Sequence, residues 1–192
     1  MSAGLIVLDR DGTLNRLVAR DTGEPPESPL DLGEVEILPG VPALLGRLSR
    51  AGFRLAVASN QPAAAKGKVA RAVLDAIHAR VLSEAQASGG RIDSSHICYH
   101  RAEDRCACRK PATLLLEQAL GAAGGAPPAV RWMVGDRATD VLAGAAVGFL
   151  TALVGTPSAA DEDLLAARAV QPSFRGVDLQ EFVDFLLDDP PR

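Results

Sequence analysis

Asp9 and Asp11 stand at the end of the aliphatic run Leu5-Ile6-Val7-Leu8, with one residue between them, and Gly12-Thr13 follows directly. A short aliphatic run of this kind reads as a parallel strand buried on both faces. Open α/β sheets place their ligands beyond the carboxyl ends of such strands. Alternate residues of a strand project the same way, so both carboxylates would face one crevice. There they repel each other unless a cation or a proton sits between them. The pattern asks for a hard metal ion and an anionic substrate.

Other apolar runs also stop at polar residues. Phe53 to Ala58 ends at Ser59-Asn60-Gln61, and Val130 to Val134 leads into Gly135-Asp136, with Asp140 one helical turn later. Lys110, followed by Pro111, reads as the start of a helix. Asp9, Ser59, Lys110 and Asp136 thus mark four polar stations along one edge of a sheet.

A second constellation is Cys98, His100, Cys106 and Cys108, spaced C-x-H-x5-C-x-C. Three thiolates and one imidazole make a closed tetrahedral Zn²⁺ set with no open position for catalysis. The intervening Arg101–Arg105 stretch is too polar to fold around an apolar core, so a metal staple over the loop 98–108 would supply what burial cannot. The three cysteines are an odd, clustered number, whereas a disulfide framework spreads an even set along the chain. His96, on the same strand face, is a reserve ligand, and His78, on a helix without metal-ligand neighbours, reads as structural. Gly67-Lys68 lacks the rest of a Walker loop, and no GxGxxG follows a strand.

The elements that must hold these residues alternate short apolar strands with helix-period segments, the signature of crossover units on a parallel sheet. The expected strands are Leu5–Leu8, Phe53–Ala58, Ile92–Tyr99 (the least apolar, so nearer an edge), Val130–Val134 and Leu150–Val154. Helices are expected from Val41 to Leu48, along the stripe Val69, Val73, Ile77, Val81 and Ala85, at Leu114–Leu120, at Val141–Val147 and at Leu179–Leu187. Asp21–Asp31, rich in proline and acid, reads as a surface flap, and the only tail is Pro190-Pro191.

At 192 residues the chain suits one domain with a sizeable core. Hydrophobic content of 47% with only 4% aromatic residues points to an aliphatic α/β protein. A formal charge of −4 argues against a nucleic-acid or membrane-surface binder. No signal peptide or transmembrane stretch is expected, which points to a soluble cytoplasmic protein, and a monomer is expected rather than an oligomer.

The four stations, read as DxDGT at Asp9–Thr13, a strand-ending Ser59, Lys110, and GDxxxD at Gly135–Asp140, resemble the haloacid dehalogenase superfamily of phosphohydrolases, from Leu5 to about Val154. The resemblance implies a single three-layer Rossmann-like α/β domain over 1–192, with a central, mainly parallel sheet and no large cap. A phosphate monoester dianion repels ordinary nucleophiles, so the site must neutralise charge and hold attacker and leaving group in line. The resemblance implies that Asp9 attacks phosphorus to form an aspartyl-phosphate. Asp11 would protonate the leaving oxygen and then take a proton from water. Asp9, the backbone carbonyl of Asp11 and Asp136 would hold Mg²⁺. Ser59, Lys110, Gln61 and backbone N–H groups around Gly12 and Asn60 would meet the phosphoryl oxygens. Asp140 would orient Lys110 or a metal-bound water.

The zinc loop directly before Arg109-Lys110-Pro111, with DRDGT-x-N at Asp9–Asn15 and Ser59-Asn60-Gln61, resembles the branch acting on D-glycero-D-manno-heptose 1,7-bisphosphate, together with its relatives acting on histidinol phosphate. Pro62-Ala63 stands where that branch usually has Ser-Gly, Ser59 where it usually has Thr, and Asp21–Pro29 does not match it. The expected substrate is a small phosphorylated metabolite, a sugar bisphosphate first and histidinol phosphate next. Arg109 would offer a bidentate donor to a second phosphate or a carboxylate, with Arg10, Arg16, Lys66 and Arg137 adding positive charge. A polynucleotide phosphatase is disfavoured by the acidic balance. A non-catalytic phosphosugar binder would have no need of Asp9 paired with Asp11.

Overall fold

The computed structural model describes residues 3–188 except Thr22 and Glu24. The Pro190-Pro191 tail and those two residues of the Asp21–Asp31 segment lie outside the described residues.

Strands β1 (Gly4–Leu8), β2 (Phe53–Asn60), β3 (Ile92–Cys98), β4 (Arg131–Gly135), β5 (Leu150–Val154) and β6 (Phe174–Gly176) form one sheet in the order β3-β2-β1-β4-β5-β6. Every pairing is parallel. All of β1 is buried, as its uninterrupted aliphatic run requires. The half-polar β3 lies at an edge, as its sequence implied.

Alternate residues of the central strands feed two cores. On one face, Ile6, Leu8, Leu55, Val57 and Trp132 pack with α1 (Val41–Arg50), α2 (Arg71–Ala85) and α6 (Leu179–Asp188). On the other, Leu5, Val7, Ala56, Ala58 and Met133 meet Leu115, Leu116 and Ala119 of α3 (Leu114–Ala123) and Ala143 of α4 (Ala138–Ala146). A smaller cluster joins α4 to α5 (Ala159–Ala167) over Leu153. The result is a three-layer α/β domain, as the motif resemblance implied. Among the described residues no helix is long and apolar enough to cross a membrane.

Some boundaries move for physical reasons. α2 starts at Arg71, so Val69 precedes it, and Leu74 rather than Val73 takes the buried place on its stripe. α4 starts three residues before Val141, because the Asp140 carboxylate accepts the Arg137 N–H and closes the first turn. Lys110 does not start a helix. It sits in the loop before α3, whose first residue is Leu114. α5 and β6 were not expected: α5 buries only Asp161 and Leu165, and β6 has three residues.

Candidate active site

The chain runs outward from β1 through β2 to β3, then returns to β4 on the other side of β1. The strand order therefore reverses between β1 and β4, the kind of position where open α/β sheets bind ligands. Leu8 is level with Val134, and Asp9 N–H donates to the Val134 carbonyl at 2.8 Å. Asp9 and Asp136 therefore leave their strands side by side. Two glycines permit the close fit. A Cβ on Gly12, whose φ is +85°, would lie 2.3 Å from Asp136 Oδ2, and one on Gly135 would lie 2.3 Å from Asp140 Oδ2.

Lys110 reaches this point from the far side of β2. Its Nζ donates to Asp9 Oδ1 at 2.7 Å and to the Ala58 carbonyl at 2.6 Å, and lies 2.6 Å from Asp140 Oδ1. Asn60 clamps its backbone: Lys110 N–H donates to Asn60 Oδ1 at 3.0 Å, and Asn60 Nδ2 donates to the Lys110 carbonyl at 3.1 Å. Burial opposes charge on the ammonium, but Asp140 and Asp9 outweigh it and hold the group above its usual range.

The acids around it carry more negative charge than one lysine can balance. Asp9, Asp136 and Asp140 each present an oxygen within 4.8 Å of the others. Burial, with repulsion from Asp140 and Asp11 and only partial relief from Lys110, pushes Asp9 up to about 6. Burial and the charges of Asp9 and Asp140 push Asp136 up to about 8. Asp136 Oδ1 is buried with no hydrogen-bond partner among the described residues. An orphaned carboxylate oxygen beside a second buried carboxylate fits a hard divalent cation that prefers oxygen ligands. Asp140 is committed to Lys110 and to the Arg137 N–H, which suits an orienting role.

Asp11 is held quite differently. Arg10, expected as a contributor to an open positive pocket, is 0% exposed and turns back onto its neighbour. Its Nη2 lies 3.0 Å from both Asp11 oxygens, and Asn15 Nδ2 donates to Oδ1 at 2.9 Å. Gln61 Nε2 donates to Oδ2 at 2.5 Å, and Ser28 Oγ donates to the same oxygen at 2.9 Å. Burial alone would raise Asp11, but Arg10 and these hydrogen bonds hold it below the usual carboxylate range. Ser28 was missed, because it lies in Asp21–Pro29, which does not match the branch's usual sequence.

The remaining candidates divide. Asp9, Asp11, Ser59, Asn60, Gln61, Arg109, Lys110, Asp136, Arg137 and Asp140 all line one cavity of about 480 Å³, joined by Lys66, Lys68, Glu27 and Ser28. Ser59 Oγ accepts from Gln61 Nε2 at 2.9 Å, so the Gln61 amide nitrogen is spent on Asp11 and Ser59, while its oxygen has no hydrogen-bond partner among the described residues. Gly12 N–H donates to the Asn15 carbonyl at 2.7 Å, which shapes the turn and leaves it turned away from the role of phosphate donor. Arg16 pairs instead with Glu36, both more than half exposed. Arg137 lies 3.3 Å from Asp161.

Beside this cavity the four residues of the loop 98–108 converge. Cys108 Sγ lies 3.1 Å from Cys98 Sγ, 3.4 Å from Cys106 Sγ and 3.3 Å from His100 Nδ1. All three thiols are free, and all four donor atoms fall within 4.8 Å of one another. The cluster fits a zinc-binding loop, with tetrahedral edges slightly shorter than the ~3.8 Å that ~2.3 Å Zn–S bonds imply. His96 stands outside it, bonded to Ser94 Oγ at 3.1 Å. The loop docks on α2 through Tyr99, whose hydroxyl donates to Asp75 at 2.6 Å under the Arg71 guanidinium.

A family model described as HAD-hydrolase-like matches residues 107–182. The D-glycero-β-D-manno-heptose-1,7-bisphosphate 7-phosphatase of Pseudomonas aeruginosa is 36% identical over 156 residues, covering 81% of this chain and 83% of its own. The histidine biosynthesis bifunctional protein of Legionella pneumophila is 36% identical over 138 residues, covering 71% of this chain but only 37% of its own. Among solved structures, the D,D-heptose 1,7-bisphosphate phosphatase of B. bronchiseptica, complexed with magnesium and phosphate, superposes with a TM-score of 0.80 at 30% identity, over 97% of this chain and 99% of that one. With these relatives matched along most of its length, the chain belongs to the haloacid dehalogenase-like phosphatases, in the branch of the heptose-bisphosphate phosphatases.

Proposed function

We propose that the chain is a Mg²⁺-dependent phosphomonoesterase that works through an aspartyl-phosphate on Asp9 and removes the 7-phosphate of D-glycero-D-manno-heptose 1,7-bisphosphate. The observation that carries the reading is Asp9 itself, buried at the sheet's switch point with Lys110 on one oxygen. Mg²⁺ held by Asp9, Asp136 and the Asp11 carbonyl would quench their repulsion and polarise the phosphoryl group. Lys110 meets the charge of the transferring group while Asp140 keeps it in place. Ser59 offers its hydroxyl to a phosphoryl oxygen. Asp11, held ionised by Arg10, is in the form that takes a proton from the attacking water. A substrate dianion beside it raises its proton affinity, which suits it to donate to the leaving oxygen first.

The cavity lining supports a bisphosphate. Glu27 is occupied by Arg20 and Lys68, whereas Lys66 and Arg109 are in no ion pair among the described residues. Two such cations suit a second phosphate better than the ammonium and imidazole of histidinol phosphate. Zn²⁺ on Cys98, His100, Cys106 and Cys108 would fix the rim that carries Arg109, in a monomer working in the reducing cytoplasm.

A phosphate-release assay across sugar bisphosphates and histidinol phosphate, with and without Mg²⁺, tests this reading. Heptose bisphosphate should give the highest kcat/KM, and Asp9→Asn should abolish turnover. A higher kcat/KM for histidinol phosphate would move the substrate assignment to that ester.

A further inference from the structure

Three of the residues that donate to Asp11, namely Arg10, Asn15 and Gln61, lie in the strand-end motifs. The fourth, Ser28, comes from elsewhere, and its Oγ donates to Oδ2 at 2.9 Å. Ser28 and Gln61 line the cavity, whereas Arg10 and Asn15 do not, so Oδ2 is the oxygen on the substrate side. The segment that delivers Ser28 is tied down on both sides. Before it, Glu27 exchanges backbone hydrogen bonds with Val18 at 2.8 and 3.0 Å, and its carboxylate holds Arg20 and Lys68. After it, Pro29 is buried, and Leu30 N–H donates to Glu34 at 2.8 Å while Glu34 grips Arg20 through two bonds of 2.8 Å.

Taking Asp11 as the acid–base group of the proposed reaction, we infer that Ser28 is a positioning residue: its hydroxyl aims Asp11 Oδ2 at the reacting oxygen. Guanidinium and amide nitrogens only donate, whereas a hydroxyl can donate or accept. Oδ2 already receives donors from Arg10, Gln61 and Ser28. Of these three donor groups, the Ser28 hydroxyl alone can also accept a hydrogen bond from a reacting water or hydroxyl beside Oδ2. Ser28 therefore holds the cavity-side oxygen in line while the Arg10 clamp stays in place.

The test compares Ser28→Ala, Ser28→Thr and Asp11→Asn in the full chain with Mg²⁺ and heptose bisphosphate. Losing one positioning hydrogen bond is worth about tenfold. Ser28→Ala should lower kcat by about that factor with KM unchanged, and Ser28→Thr should restore most of it. Equal loss in the alanine and threonine variants, or a change confined to KM or to stability, would overturn the inference. So would a fully active Ser28→Ala beside an inactive Asp11→Asn. Full activity in Asp11→Asn would instead overturn the acid–base reading, and the inference with it.

Discussion

Lys110 Nζ donates to Asp9 Oδ1 at 2.7 Å although the two residues are 101 apart in the chain. The contact exists because β1 and β2 are neighbours, and because Asn60, at the end of β2, fastens the Lys110 backbone over Asp9. Asp140 meets the same ammonium from α4. One lysine thus ties the ends of three crossover units together.

Removing that charge while keeping its bulk, as in Lys110→Met, leaves Asp140 buried without its counter-charge. The expected cost is about 3–5 kcal/mol of folding stability and at least about a hundredfold in kcat. Urea unfolding and steady-state kinetics check the two effects separately. Near-wild-type stability would show that Asp140 is satisfied without the lysine.

How much of this was legible in the sequence depends on scale. The β1 run, the strand-end acids and the cysteine spacing each follow from local rules, and each was placed within a few residues. Arg10 was misjudged because arginines are mostly exposed, and nothing in the local pattern says that its guanidinium folds back onto Asp11. Ser28 is a long-range contact from an irregular segment, where no periodicity constrains where a side chain points. β6 and α5 were too short or too weakly apolar to stand out, although the Ser158–Asp161 pair that caps α5 is a readable start signal.

Asp9 and Asp136 link stability to pH and metal. Their folded pKa values, about 6 and about 8, lie above the ordinary carboxylate value. A raised acid contributes stability that is present below its unfolded pKa and lost as pH rises through the folded one. The metal-free protein should therefore weaken between about pH 4 and pH 8. On the proposed assignment Mg²⁺ would replace the departing protons, so it should raise the thermal midpoint more at about pH 8 than at about pH 5.5. Equal increments at both would contradict the metal assignment.

His78 has the opposite sign. Neither ring nitrogen has a hydrogen-bond partner among the described residues. Burial, then the Arg10 charge, pushes its pKa down to about 4. A depressed base leaves stability intact above the unfolded value of about 6.5, with loss as pH falls towards 4. His78→Leu should lose less stability than wild type over that interval, measured by urea unfolding at each pH. Parallel pH profiles would show that His78 does not carry this sensitivity.

The cysteine loop makes a compositional prediction. Elemental analysis should find one zinc per chain, lost in Cys106→Ser together with a fall in thermal midpoint. Activity should fall as well, because the rim carrying Arg109 loosens. Full zinc content in the variant would remove Cys106 from the ligand set.

The central claim is that Asp9 becomes covalently phosphorylated. Acid quenching during turnover, followed by borohydride reduction, converts an acyl-phosphate aspartate to homoserine, which peptide mass spectrometry locates. Homoserine at position 9 in the wild type, and none in Asp9→Asn, is the expected result. An unmodified Asp9 during active turnover, or homoserine at another acid, would contradict it.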